Sequence, residues 1–411
     1  MNRRSFIKRS LAAAAGMGLI PSLFSRTALA AGGKGKILII FQLFGGNDAV
    51  NTLIPTGQYN DYASLRPDIH IPSADIIDLA VSGMNLGMHP ALQGVVDNFW
   101  NHGELALITQ VGYPHHNRSH FFSTAVWNTA DPDHPQKSGW LGRYIEDHDP
   151  FCATSLGRKF PRAIRGEHAT GIHIGGIGAF NLNIDKLDRD RDVTAELERL
   201  LQQSRSGTAE GARLALKHML DSVTEIQGAR DSQYNPATSF PTYKNKYGQI
   251  FEDIARLINY DITSRHNLPS QVYYASAAGY DTHANQGGKE GAQADLLERL
   301  AAALVAFRTE MIDQNRWDDV MIMIFSEFGR RVKQNASKGT DHGKGGLMLV
   351  AGGAVNGGIY GNEPNLDEDA LDEGDLPVET DFRSVYAAGA DFIGADYNDL
   401  VPGFSPLPGL F

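Results

Sequence analysis

Asp281 and His283 stand two residues apart in the stretch AGYDTHANQ, directly after the apolar run Val272–Ser276. Gly and Asp favour bends, so turn chemistry is one reading of this stretch. An acid and an imidazole at the mouth of a strand also make a pair of cation ligands. Which reading holds depends on whether other segments bring matching residues to the same edge, and four do. Asp48 follows Ile37–Phe41 beyond a double glycine, and Ser119 and His120 follow Leu105–Gln110 in VGYPHHNRSHFFS. Glu327 and Arg330 follow Val320–Phe325 in SEFGRR, and Asp341 and His342 precede Leu347–Ala351 in KGTDHGKGG. Each segment alone has a plain alternative: a turn for Gly-Asn-Asp, an N-cap for Ser119, a surface ion pair for Arg330 and Arg331. Together they supply the carboxylates and imidazoles that Zn²⁺, Mn²⁺ or Mg²⁺ requires.

The elements that must position these residues are legible from periodicity. Short apolar runs of strand type alternate with helix-like spacing at Ala91–Trp100, Ala292–Met311 and Phe382–Ile393, and in the second of these Leu296, Leu297, Leu300, Leu304 and Phe307 share a face. That alternation predicts an α/β fold, with a mainly parallel sheet and helices on both faces. In such sheets ligands bind beyond the carboxyl ends of the strands, where the candidate residues fall. Residues 131–265 are polar, with helical spacing at Val193–Gln203 and Ala212–Ile226 and few strand signals. They are expected to form a helical insertion or cap within one domain.

The first 30 residues stand apart. Arg3 and Arg4 precede the apolar stretch Leu11–Ile20 and an Ala-Leu-Ala sequence ending at Ala30. This is the pattern of a twin-arginine export signal, too short to span a bilayer, and cleavage after Ala30 is the working expectation. The predicted partner is the twin-arginine (Tat) export machinery, the destination is the periplasm or beyond, and no stable membrane span remains after cleavage. Cys152 is the one cysteine, so no intrachain disulfide can form, and 42% hydrophobic residues must supply stability from a core. Lys plus Arg number 37 and Asp plus Glu 48; five of the bases lie in the leader, leaving 32 against 48 and a net charge near −16. A field of that sign argues against nucleic acid or anionic lipid as partners, but a local cation can still draw an anion into one cleft.

The order of these residues resembles the alkaline phosphatase-like superfamily of phosphatases and sulfatases. More closely, FQLFGGNDAVNTLIP, RSHF, GYDTHANQ, SEFGR and TDHGKGGLMLVAGGAVNGGIYG resemble the exported bacterial family DUF1501, from about Lys36 to Asp391. The resemblance implies a three-layer alkaline phosphatase-like fold over 31–411 and a metal-hydrolase ancestry. Carried over by position, Asp48 matches the first-strand metal ligand and Ser119 the nucleophile. Asp281, His283 and His342 match the ligands of one metal, and Glu327 a ligand of the second. Two departures stand out: only Thr282 separates Asp281 from His283, and Phe328 stands where a histidine normally follows the acid. A single ion on Asp281, His283 and His342 is therefore the safer expectation, with Asp341 as ligand or supporting group. His115, His116 and His120 are possible replacements for the missing nitrogen, or else solvated loop histidines.

The chemistry expected is hydrolysis of a phosphate or sulfate ester, on a small molecule or a polysaccharide, through Ser119. One or two divalent ions (Zn, Mn, Mg or Ca) would assist, His120 would flank the nucleophile, and Arg118 or Arg330 would hold a peripheral oxygen. The rivals are a catalytically decayed envelope binding or assembly protein on the same fold, and a metal-assisted hydrolase of another ester or amide without covalent catalysis.

Overall fold

The structure is a computed structural model that describes residues 35–135, 137–148, 150–178, 180, 193–203, 208–242, 246–264 and 270–411. The expected export signal over residues 1–30 lies outside them. Among the described residues no helix is long and apolar enough to cross a membrane, and Cys152 is free and buried.

The five expected strands all form, and four shorter ones join them. In chain order the main sheet comprises β1 (Ile37–Phe44), β2 (Leu105–Gly112), β3 (Ala153–Leu156), β4 (Ile172–Ile174), β5 (Gln271–Ala278), β6 (Val320–Phe325), β7 (Gly346–Ala351), β8 (Gly358–Tyr360) and β9 (Thr380–Asp381). The spatial order is β8-β2-β7-β6-β1-β5-β3-β4, with β9 also pairing β2. The centre is parallel: β1 lies between β5 and β6 with Ile39 opposite Tyr273 and Ile322. β7 runs antiparallel to both β2 and β6. The carboxyl ends of β1, β2, β5 and β6 therefore share one edge with the amino end of β7, which is the edge where the candidate residues converge.

Alternation along β1 explains the three layers, because successive side chains of a strand face opposite sides. Ile37, Ile39, Phe41 and Leu43 face a core shared with α1 (Gln93–Asn98), α5 (Tyr247–Ser264) and α6 (Ala292–Asp313). Leu38 and Ile40 face the opposite core, shared with α2 (His120–Thr129), α3 (Trp140–Ile145) and α7 (Phe382–Phe392). Trp127 of α2 stacks on Phe325 and Phe382, with centroids 4.5 and 4.2 Å away, and so ties α2 to β6 and α7.

The stretch 131–265 does more than cover the sheet. It contributes β3 and β4 to one edge, while α5 and part of α4 (Thr208–Asp231) enter the first core. A three-stranded sheet of Leu53–Pro55, Ile77–Asp78 and Leu86–Met88 forms separately.

Candidate metal centre

The loop after β1 turns sharply against the loop after β5. Gly45 has φ of +128°, and a Cβ there would lie 2.3 Å from the backbone nitrogen of Asp281, so only glycine fits both demands. Arg330 locks the arrangement. It is 1% exposed; its Nε donates to Gly46 O at 2.8 Å, Nη1 to Thr340 O at 2.6 Å, and Nη2 to Tyr280 O at 3.1 Å and to Gly45 O. Nη2 also meets Asp281 Oδ1 at 2.5 Å. The sequence offered Arg330 as a ligand for a peripheral substrate oxygen or as a surface ion pair. It is neither, because its guanidinium is buried and committed to backbone carbonyls and Asp281.

Around Asp281 three imidazoles converge by the same nitrogen. His342 Nε2 lies 3.1 Å and His283 Nε2 3.0 Å from Asp281 Oδ1, and the two Nε2 atoms are 2.9 Å apart. His120 Nε2 lies 3.4 Å from Asp281 Oδ2. In each ring the other nitrogen is held by an oxygen. His120 Nδ1 bonds Glu327 Oε1 at 2.8 Å, His283 Nδ1 bonds Asp341 Oδ1 at 3.0 Å, and His342 Nδ1 bonds the Arg118 carbonyl at 2.8 Å.

These partners fix the tautomers. A carbonyl only accepts, so His342 Nδ1 carries hydrogen and Nε2 of the neutral ring is a lone pair. The Asp341 carboxyl is held below its usual range by the Asn335 bond against desolvation, with the His283 bond adding to it, so it is ionised and also accepts. In the neutral state, then, two lone pairs face each other across 2.9 Å beside a carboxylate. That contact requires a proton or a cation between the groups. Burial lowers the pKa of His342, and the Asp281 and Arg118 bonds only partly offset this, which disfavours the proton.

A cation fits the distances. The corners of a triangle with edges of this length lie about 1.7 Å from its centre, which is within the reach of ligand bonds of roughly 2.0–2.2 Å, so Asp281, His283 and His342 could hold one ion. Ligand atoms of His120, Asp281 and His342 all lie within 4.8 Å of one another; His283 falls outside that group, though its Nε2 approaches both Asp281 and His342. Asp281 is ready to serve: desolvation opposes its ionisation, but the buried Arg330 guanidinium bonded to it outweighs this, and its pKa is lowered to about 2. For His120 the Glu327 bond outweighs burial and raises the pKa, and such support raises the basicity of a ligating imidazole.

Two sequence expectations need correction, Asp48 and Glu327 as ligands, and the alternative left open for Asp341 is decided. Asp48 does not join the cluster. Its Oδ2 accepts from Arg66 Nη1 at 2.5 Å and Gln286 Nε2 at 2.6 Å, both side chains of the Asp48–Arg66 pair are 0% exposed, and Oδ1 caps Asn51 N. Glu327, also buried, accepts from His120 and from Gly45 N at 2.9 Å and so supports a ligand. Asp341 likewise stands behind His283. Phe328 is buried, with its ring centroid 4.9 Å from that of His120 and 4.5 Å from that of His342, and it forms an apolar wall beside the two imidazoles. His115 makes no recorded contact with the cluster. His116 is packed against Tyr113, and burial first, then the Arg118 and Lys344 charges, push its pKa to about 4.

Ser119 is exposed at the N-terminus of α2 and makes no side-chain cap bond. The capping alternative is therefore not realised, and its hydroxyl stands free next to His120. Sequence reasoning missed Gln42 of β1, whose Oε1 accepts from Tyr274 Oη at 2.8 Å and whose Nε2 reaches Glu327 Oε2 at 3.5 Å. A glutamine within the apolar run of β1 was the available clue, since a buried amide must find partners.

The family model described as "Protein of unknown function (DUF1501)" matches residues 186–405, more than half of the chain. The chain belongs to this family. No curated protein matches the DUF1501 sequence. Among solved structures, a Vibrio parahaemolyticus protein in the alkaline phosphatase superfamily aligns at 9% identity over 99% of this chain and 79% of its own, with a TM-score of 0.42. The C-terminal periplasmic domain of Escherichia coli EcEptC, in complex with Zn, aligns at 8% identity over 88% and 83%, with a TM-score of 0.39. The sulfatase PsFucS1 from Pseudoalteromonas sp. aligns at 9% identity over 96% and 72%, with a TM-score of 0.36.

Proposed function

We propose that this DUF1501 protein is an exported, metal-dependent hydrolase of phosphate or sulfate esters, with one divalent ion held by His120, Asp281, His283 and His342. The observation that carries this reading is the approach of His283 Nε2 to His342 Nε2 at 2.9 Å while an oxygen holds the opposite nitrogen of each ring. Two lone pairs and a carboxylate make a site for a cation, and imidazole with carboxylate suits Zn, Mn or Fe better than Ca.

A bound divalent ion supplies charge that lowers the pKa of a nearby hydroxyl and offsets charge building on a transferred group. The protein's own residues do the rest. Ser119 presents a hydroxyl that is not spent on capping, and its oxygen forms the new bond to phosphorus or sulfur as the ester alcohol departs; water then releases the anion and restores the serine. The amino end of α2 favours the anionic group. Glu327, Asp341 and the Arg118 carbonyl orient the three imidazoles, Arg330 fixes Asp281, and Phe328 keeps water from one side. Entry through the twin-arginine pathway accounts for Arg3 and Arg4.

A second reading, an envelope binding or assembly protein with a decayed site, gains support from Phe328 and from Asp48, whose charge Arg66 already neutralises. One preparation separates the two readings. Metal is quantified in protein purified from the periplasm, and a panel of phosphate and sulfate monoesters is assayed with wild type and Ser119→Ala. The hydrolase reading expects about one ion per chain and turnover abolished in the variant with its metal retained. Stoichiometric metal with full activity in Ser119→Ala would end the nucleophile assignment, and metal-free, inert wild type would favour the second reading.

A further inference from the structure

Beside the histidine cluster lies a group of cations that the reading above leaves unused. Arg118 Nη2 pairs with Asp375 Oδ2 and lies 3.8 Å from Glu373 Oε2. Lys344 Nζ reaches the same Glu373 oxygen at 3.2 Å and Asp372 Oδ2 at 2.8 Å, and Arg331 Nε stands 3.8 Å from Asp375 Oδ1. The three acids lie on one turn closed by the reciprocal backbone bonds of Asp372 and Asp375, at 2.9 and 3.1 Å.

These acids are not equivalent. The Asp375 side chain is 0% exposed and anchors the turn, whereas that of Glu373 is 71% exposed. Glu373 also has φ of +56°, a left-handed conformation that is costly for a residue with a side chain. Its contact with Arg118 is long, and its hydrogen bond from Lys344 is made by a side chain open to solvent, where screening leaves such a pair weak. A single carboxylate oxygen shared by an ammonium and a guanidinium marks the place where one tetrahedral oxyanion can bridge both cations.

The location ties this place to the candidate reaction. The Arg118 carbonyl holds His342 Nδ1, Arg118 immediately precedes Ser119, and Lys344 follows His342 by two residues. We propose that Arg118 and Lys344 form an anion subsite in which Glu373 stands in for a second sulfate or phosphate group, so that the substrate is a polyanionic ester. This substrate class rests on the ester-hydrolase reading; the subsite itself does not. When such a ligand binds, Glu373 swings into solvent while Asp375 keeps Arg118 in place.

The test is calorimetric titration of chelator-treated protein with inorganic sulfate and, separately, inorganic phosphate, for wild type, Glu373→Gln and Lys344→Gln. Circular dichroism checks that each variant is folded. Removing the competing carboxylate should tighten anion binding by about two- to fivefold, and removing the ammonium should weaken it by at least as much. Tighter binding of one anion than the other shows whether the second group is a sulfo or a phosphoryl group. Equal affinity for wild type and both variants would overturn the subsite. Metal quantified in each preparation before the chelator is added keeps the two proposals separable: no metal in wild type as purified, with the expected affinity shifts after chelation, defeats the hydrolase reading and leaves the subsite standing.

Discussion

Asp48 and His283 were both expected to bind metal, and the structure separates them sharply enough for one pair of variants to decide. Asp48 is fully buried and its charge is met by Arg66, whose guanidinium is also bonded to Val332 O at 2.7 Å, Asn51 Oδ1 at 2.9 Å and Arg331 O at 3.0 Å. Asp48→Asn keeps the shape and removes the charge. It leaves a guanidinium with neutral acceptors only, and breaking a buried pair from one side costs about 3–5 kcal/mol. The three remaining acceptors place the expected loss at the lower end of that range. This is still a large share of the roughly 5–15 kcal/mol that holds a typical protein folded. Metal stoichiometry should not change.

His283→Ala should behave in the opposite way. The side chain is 43% exposed and its contacts are polar, so in chelated protein the loss should be small. With metal at a hundredfold excess over its dissociation constant, wild type should gain about 2.7 kcal/mol, a gain the variant should lack. Urea unfolding with and without chelator, together with metal quantification, reads both effects. If Asp48→Asn retained full stability but lost its metal, the buried-pair interpretation would be wrong and Asp48 would return to the ligand set.

Further outcomes follow from the same geometry. Asp281 has its pKa lowered from 3.8 to about 2 in the folded protein, so it contributes stability that is present above its unfolded pKa and lost as pH falls from near 4 through about 2. In chelated protein the acid limb should be shallower in Asp281→Asn by this contribution, the other lowered carboxyls such as Asp341 remaining, and an unchanged limb would refute the assignment. Under the proposed twin-arginine export, in which a receptor reads Arg3 and Arg4, replacing both with Lys should leave folded precursor in the cytoplasm. Undiminished periplasmic delivery, scored by fractionation, would show that the leader was misread.

The parts of the fold that were legible are those where a period persists. β1, β5 and β6 are continuous apolar runs because both faces of the central sheet are covered, and α6 shows its buried face every three to four residues. β3 and β4 escaped notice for the converse reason. Ala153–Leu156 and Ile172–Ile174 are only four and three residues long and include Thr, Ser and His. The reversed direction of β7 was also illegible, since alternation along a strand carries no record of which way it runs.

The site divides along a similar line. Residue type and position after a strand were enough to bring Asp281, His283 and His342 together, because the carboxyl edge of a parallel sheet collects such loops. They could not tell a ligand from the residue behind it. Glu327 and Asp341 have the right chemistry for a cation, and each is spent on the far nitrogen of a histidine. What separates the two roles is a further partner that only the folded chain brings to the carboxylate: Arg66 for Asp48, Gly45 N for Glu327, Asn335 for Asp341. The same logic argues for one ion. A second would need charges that remain free, and the acids expected to hold it are already neutralised by a guanidinium or bonded to an amide and an imidazole. Freeing Asp48 would leave Arg66 unpaired in the interior, so the protein cannot recover that ligand without losing part of what keeps it folded.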